Sequence, residues 1–79
     1  MTGDELNDIR TRLGLSTSQL GYALGFSGSK SNVSTTIRRF EHGEKPVPPW
    51  IARLALMFER YGIPNDFLAP DESEPTPKR

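Results

Sequence analysis

The sequence predicts an all-α fold, a compact bundle of four to five short helices that forms one domain over residues 1–68. Apolar residues recur three and four positions apart, as they do along one face of a helix, and no segment shows the two-residue period of a strand. Glycines follow several of these segments where a helix would end. The chain has 79 residues and no cysteine, so its small core depends on apolar packing rather than on disulfides.

Capping boxes mark the starts of the first two helices. Residues 2–5 read Thr-x-x-Glu and residues 16–19 read Ser-x-x-Gln, patterns in which the two side chains bond each other's backbone amides. They predict helices over residues 4–13 and 17–24. Gly21 lies inside the second helix at a cost of about 1 kcal/mol relative to alanine, so we expect another backbone to pack closely against it.

A third helix follows a polar segment whose structure the sequence leaves open. The helix is predicted by Val33, Ile37 and Phe40, and Gly43 is the expected left-handed residue at its end. The preceding residues 27–32 are rich in turn formers. They either extend the helix at its N-terminus or form a flexible basic loop.

The fourth helix is apolar over much of its circumference. It begins at Pro49, whose missing amide is harmless in a first helical turn, and it ends before Gly62. So apolar a helix in so small a protein either forms the centre of the core or buries a second face against another subunit. One further helical turn is expected over residues 64–68, and the polar tail 69–79 is expected to be disordered.

Charge is distributed unevenly along a chain whose ten basic and ten acidic residues cancel. Residues 9–45 carry six basic and two acidic side chains, a net charge of +4, whereas acids gather towards both ends. Such a basic centre indicates a surface for a polyanion, or it is an ordinary mixed surface. The charge pattern alone favours neither.

The composition argues against several functional classes. No apolar run approaches the roughly 20 residues of a membrane span, and residues 1–5 are polar and acidic, unlike a signal peptide, so we expect a cytoplasmic protein. A single histidine, no cysteine and no phosphate-binding glycine motif argue against an enzyme, a metal site or a cofactor. So short a chain also leaves little room for a small-molecule effector pocket.

The second and third helices together have the features of a helix-turn-helix. Gly21 is the small residue needed where the helices cross, and Gly25 begins the turn. The chain here resembles the XRE family of lambda-repressor-like helix-turn-helix domains over residues 4–61. The resemblance is carried by residues 9–10, 14–21, 24–26 and 37–43, the last of which read Ile-x-x-Phe-Glu-x-Gly.

The resemblance implies a regulator of transcription that binds double-stranded DNA, with the third helix in the major groove. Small polar side chains and two arginines on that helix suit base edges and phosphates. The alternative is an ordinary solvated helix face, which has the same composition. One of the two arginines is expected to form a structural pair instead. The predicted DNA-binding residues are Thr17, Ser18, Lys30, Ser31, Asn32, Ser34, Thr35, Thr36, Arg38 and Arg39.

The resemblance also implies a structural ion pair between an arginine of the first helix and the glutamate that ends the third. Here these residues are Arg10 and Glu41, and a bidentate pair would fix the third helix against the first. Three departures from the family matter, the mildest of which is Phe40 at a position where tryptophan is common. Thr17 stands where a phosphate-binding glutamine is usual, and the segment between Phe26 and Ile37 is several residues longer, which leaves the base-reading residues open.

A lone helix-turn-helix reads only a few base pairs, so specificity favours two copies on an inverted-repeat operator. We therefore expect an isologous homodimer, a repressor or autorepressor of a phage, plasmid, toxin–antitoxin or anti-CRISPR operon. The alternative is a protein-interaction module on the same scaffold that no longer binds DNA, which the zero net charge favours slightly. The expected dimer interface comprises Trp50, Leu54, Phe58, Tyr61, Ile63 and Phe67.

Overall fold

Four α-helices and one 3₁₀ turn make up residues 1–68, the part of the chain that the computed structural model describes. No strand occurs within these residues, and the predicted all-α bundle is confirmed. Residues 69–79, predicted to form a disordered tail, lie outside them. Among the described helices none combines the length and apolarity needed to cross a bilayer. The elements are α1 (Gly3–Leu13), α2 (Thr17–Leu24), α3 (Lys30–Glu41), α4 (Pro49–Tyr61) and the 3₁₀ turn Asn65–Phe67.

Both predicted capping boxes are formed. The Thr2 hydroxyl accepts from the Glu5 amide at 3.1 Å, and the Glu5 carboxylate accepts from the Thr2 amide at 2.7 Å. Ser16 and Gln19 make the same two bonds at 3.1 and 2.8 Å. Since each of these helices also ends at a glycine in the left-handed conformation, the boundaries predicted for α1 and α2 agree with the structure to within a residue.

α3 begins earlier than its apolar residues alone require. Ser29 caps it by accepting from the Asn32 amide at 3.1 Å, and Gly28 before it has a φ of +118°. Only the first half of segment 27–32 is therefore a turn, because Lys30 is already helical. Of the two structures that the sequence left open, the N-terminal extension of the helix is the one observed.

The crossing of α2 and α3 depends on Gly21. A Cβ atom at this position would overlap Cγ1 of Val33 and lie 3.2 Å from Cγ1 of Ile37. The close approach expected at this glycine is therefore present. Gly3 has a similar role at the start of α1, because a Cβ there would overlap carbonyl oxygens at the C-terminal end of α3.

The core draws on all four helices, and α4 contributes one face to it. Phe58 is only 3% exposed and is covered by the ring of Phe67, which meets it edge-on at 6.1 Å between centroids. The expectation that Phe58 belongs to a dimer interface is corrected, since a side chain buried within one chain offers no surface to another. The buried apolar cluster is Leu6, Ile9, Leu20, Ala23, Leu24, Ile37, Phe40, Ile51, Ala55 and Phe58.

Candidate functional site

α3 presents its polar side chains on two adjacent faces. Its apolar residues at positions 33, 37 and 40 are buried, and the helical repeat of 3.6 residues places positions with the same four-and-three spacing on common faces. All members of the face opposite the buried one are exposed. We call Ser31, Thr35 and Arg38 the outer stripe, and Asn32, Thr36 and Arg39 the lateral stripe.

The threonine hydroxyls of both stripes are bonded within the helix. Thr35 Oγ1 donates to the Ser31 carbonyl oxygen, and Thr36 Oγ1 donates to that of Asn32, each at 3.0 Å. These bonds use the hydroxyl proton of each threonine. What each side chain can offer to another molecule is an acceptor oxygen and a methyl group.

The start of α2 is joined to α3 through side chains. The hydroxyls of Thr17 and Ser34 hydrogen-bond to each other, and both residues are half-buried. The structure thus brings together two residues predicted to bind DNA, and it also gives them a role in orienting α3.

Ser18 differs in burial from its neighbour Thr17, which is half-buried. Its side chain is buried, with 5% of the residue exposed, and its hydroxyl lies 3.2 Å from that of Ser16. The sequence predicts a phosphate contact here through the free amides at the start of α2, and the buried hydroxyl limits Ser18 to that backbone contact. The first turn of α2 places this residue on the side of the helix that faces the protein.

The basic residues of the centre of the chain divide into paired and exposed ones. Arg12 is bound to Glu59, and Arg39 lies with its Nε 4.0 Å from a Glu44 carboxylate oxygen. Arg38 is exposed, and its side chain makes no hydrogen bond or ion pair with any other residue of 1–68. The arginine expected to form a pair is thus Arg39, although its pair is exposed and contributes little.

The predicted pair of Arg10 and Glu41 is present and bidentate. Arg10 Nε donates to Oε2 at 2.6 Å, and Nη2 donates to Oε1 at 3.2 Å. Two further partners were not anticipated from the sequence: Asn7 Nδ2 donates to Glu41 Oε1 at 3.0 Å, and Arg10 Nη1 donates to the Leu15 carbonyl oxygen at 3.0 Å. Asn7 lies one helical turn before Arg10, a spacing that could have indicated the contact.

Because Glu41 is the one acidic residue of α3 and is buried in this pair, the exposed surface of the helix carries no negative side chain. Positive side chains remain there at positions 30, 38 and 39, and Lys45 follows in the next loop. Fewer basic residues therefore contribute to this surface than the net charge of +4 of residues 9–45 indicates. Those that do contribute lie on α3 or directly after it.

The turn between α2 and α3 is held by aromatic residues. Tyr22 donates its hydroxyl proton to the Gly28 carbonyl oxygen at 2.8 Å. The Phe26 ring lies between those of Phe40 and Trp50, with centroids at 6.4 and 5.7 Å. This network, which the sequence analysis did not identify, attaches the longer turn to α2, α3 and the start of α4.

A second surface of interest lies on the solvent side of α4. Of the expected interface residues, Trp50, Tyr61 and Phe67 are exposed, Tyr61 by 75%, whereas Leu54 and Ile63 are half-buried against the core. Met57, which was not predicted, is 54% exposed and shares the face of α4 on which positions 50, 54 and 61 lie. We call Trp50, Leu54, Met57 and Tyr61 the α4 stripe.

Comparisons of the chain with protein-family models, with curated proteins and with solved structures gave no match. The function of the α3 surface and of the α4 stripe is therefore inferred from the residues that form them.

Proposed function

We propose that the chain is a sequence-specific regulator of transcription that binds double-stranded DNA, with α2 and α3 as its helix-turn-helix and α3 in the major groove. The observation that carries the proposal is the exposed surface of α3. It combines hydroxyl and amide side chains with two arginines, and its one carboxylate is turned inward to Arg10. Side chains of these types bind base edges and phosphates, and the absence of exposed acid avoids repulsion by the DNA backbone.

The way in which α3 is held supports this proposal. The crossing at Gly21 fixes the middle of the helix, the Thr17–Ser34 bond fixes its first half, and the Arg10–Glu41 pair fixes its end. A recognition helix needs such support, because side chains read bases only from a well-defined position. The outer stripe is left exposed by all three contacts.

Phosphate contacts are proposed beside the recognition helix. The N-terminal end of α2 lies next to α3 through Thr17, and free backbone amides at a helix start attract anions. Ser18 contributes to this contact through its backbone only, since its side chain is buried. Lys45 and the two arginines of α3 supply positive charge on the same part of the molecule.

The second part of the proposal is a homodimeric repressor that pairs through the α4 stripe. Three members of the stripe are large apolar residues about half exposed or more, and contiguous apolar surface of this kind marks an interaction site in small proteins. Residues 63 and 67 extend the surface beyond the helix. A symmetric dimer would present two copies of α3 to an inverted repeat.

Footprinting of the full chain on the promoter upstream of its own gene tests the proposal. We expect protection of an inverted repeat whose half-sites lie about 34 Å apart, one turn of B-DNA. Arg38→Ala is expected to shift the footprint to a clearly higher protein concentration, whereas Arg12→Ala, which removes a side chain already paired on α1, is expected to leave it at the wild-type concentration. A protein that protects no promoter or random DNA at any concentration would instead support an interaction module.

A further inference from the structure

We infer that Thr35 selects an A·T base pair in each half-site, through its acceptor oxygen and its methyl group together. The inference rests on the proposed function, because it concerns how the recognition helix reads DNA. It begins from the hydrogen bond between Thr35 Oγ1 and the Ser31 carbonyl oxygen at 3.0 Å.

This bond restricts what Thr35 can recognise. A free threonine hydroxyl donates or accepts and therefore discriminates poorly between bases. In α3 the hydroxyl proton of Thr35 is donated to the Ser31 carbonyl oxygen, so towards another molecule the Thr35 oxygen can only accept. The Ser31 hydroxyl makes no hydrogen bond within residues 1–68. It can therefore donate or accept, and it discriminates less between bases than Thr35 does.

The major-groove edges of the base pairs decide which partner fits. Adenine N6 is a donor for the oxygen of Thr35, and the thymine opposite carries a C5 methyl for its Cγ2. Cytosine N4 is also a donor, but a G·C pair has no methyl group, and guanine presents two acceptors that would face the threonine oxygen. An A·T pair is thus the one pair that complements both groups.

The position of Thr35 makes it the residue to read this pair. It is the middle member of the outer stripe, exposed and opposite the buried face of α3. Ser31 lies one turn before it and Arg38 one turn after it, so Thr35 is at the centre of the surface that enters the groove. Thr11 on α1 has the same internal bond, from its Oγ1 to the Asn7 carbonyl oxygen at 2.9 Å, and is also exposed, which makes it a matched control outside the DNA-binding surface.

The test uses the full chain and an operator selected from random duplexes. Each thymine of the selected site is replaced in turn by uracil, which lacks only the methyl group. For the wild-type protein we expect one position in each half-site where uracil weakens binding about fourfold, the value of one buried methyl-sized group. For Thr35→Ser, which keeps the hydroxyl and loses the methyl, uracil at that position is expected to have no effect.

Two further variants sharpen the result. Thr35→Val keeps the methyl and is expected to remain sensitive to uracil, but without the acceptor oxygen it should bind A·U and G·C pairs at that position equally. Thr11→Ser is expected to retain the wild-type response to uracil at every position. Because both threonines are at least partly exposed, circular dichroism should show the wild-type helical content for all three variants.

The possible failures are distinguishable. If the selection enriches no sequence, the proposed function fails and this inference with it. If a site is selected but no uracil position depends on Thr35, or if Thr11→Ser removes the dependence as Thr35→Ser does, the protein is a DNA-binding regulator and the assignment to Thr35 is overturned.

Discussion

Arg10 on α1 and Glu41 at the end of α3 form a bidentate ion pair, with 2.6 Å between Nε and Oε2. Glu41 is 7% exposed and also accepts from Asn7. Water therefore has little access to the carboxylate, and its charge is balanced by the guanidinium. The pair joins the first helix of the chain to the end of the helix that we propose to read DNA.

Removal of Arg10 should be costly because it leaves Glu41 buried without its counter-charge. We expect Arg10→Ala to lower the free energy of unfolding by about 3–5 kcal/mol, as for other broken buried pairs. The matched control is Arg12→Ala, whose pair with Glu59 is more exposed and is worth about 0–1 kcal/mol. Urea denaturation measures both, and equal losses would contradict a structural role for the Arg10 pair.

Gly21 should not tolerate alanine, although alanine favours helices. The propensity gain is about 1 kcal/mol, but the new Cβ would overlap Val33, and overpacking of this kind costs about 1–3 kcal/mol. We therefore expect Gly21→Ala to destabilise the protein in thermal or urea unfolding.

A double-mutant cycle separates this overlap from other effects of the substitution. Val33→Ala removes the atom that the new Cβ would meet, so the loss in the double variant should be smaller than the sum of the two single losses. Strict additivity of the two substitutions would show that the helices do not cross as closely as Gly21 and Val33 indicate.

Arg38 should contribute more to DNA affinity than to stability. It is exposed, and its side chain makes no hydrogen bond or ion pair with the rest of residues 1–68, so Arg38→Ala should unfold like the wild type. Loss of a base or phosphate contact should weaken binding to the selected operator by about 1–3 kcal/mol. Fluorescence anisotropy measures the affinity, and the double variant with Arg39→Ala should bind no more tightly than to unrelated DNA.

Met57 tests the proposed dimer, and its neighbour Leu56 provides the control. The two side chains are 54% and 52% exposed, but they lie about 100° apart around α4, and only Met57 belongs to the α4 stripe. Met57→Glu should shift the protein from dimer to monomer in sedimentation, while Leu56→Glu should leave the dimer intact. Wild-type protein that sediments as a monomer at every concentration, with and without DNA, would refute the dimer.

The sequence predicts a helix boundary correctly where the residues that set it are adjacent in the chain. The ends of α1 and α2 are set by capping side chains and glycines adjacent in the chain, and these were identified correctly. The start of α3 stayed open because Ser29, Ser31 and Asn32 are all suitable caps. The choice of Ser29 follows from the turn that Tyr22 holds, a contact between residues that no local pattern reveals.

The burial of the Ser18 and Phe58 side chains was not predicted, for a common reason. α4 is apolar on most sides, so its periodicity does not show which apolar residues face the core, and Phe58 was placed on the wrong side. Ser18 occupies the first turn of α2, where a polar residue on the inner side of a helix resembles an exposed one in sequence. Both positions depend on packing between helices, which only the assembled bundle defines.

The dependence of DNA binding on salt is the most direct test of the central claim that the α3 surface binds double-stranded DNA. Each phosphate contact should add about −0.9 to the slope of log K against log salt concentration. We expect the wild-type chain to show a steep linear decrease corresponding to several contacts, and the Arg38→Ala, Arg39→Ala double variant to show a clearly shallower one. Binding that is undetectable at low salt, or an affinity for duplex DNA that does not change with salt, would contradict the claim.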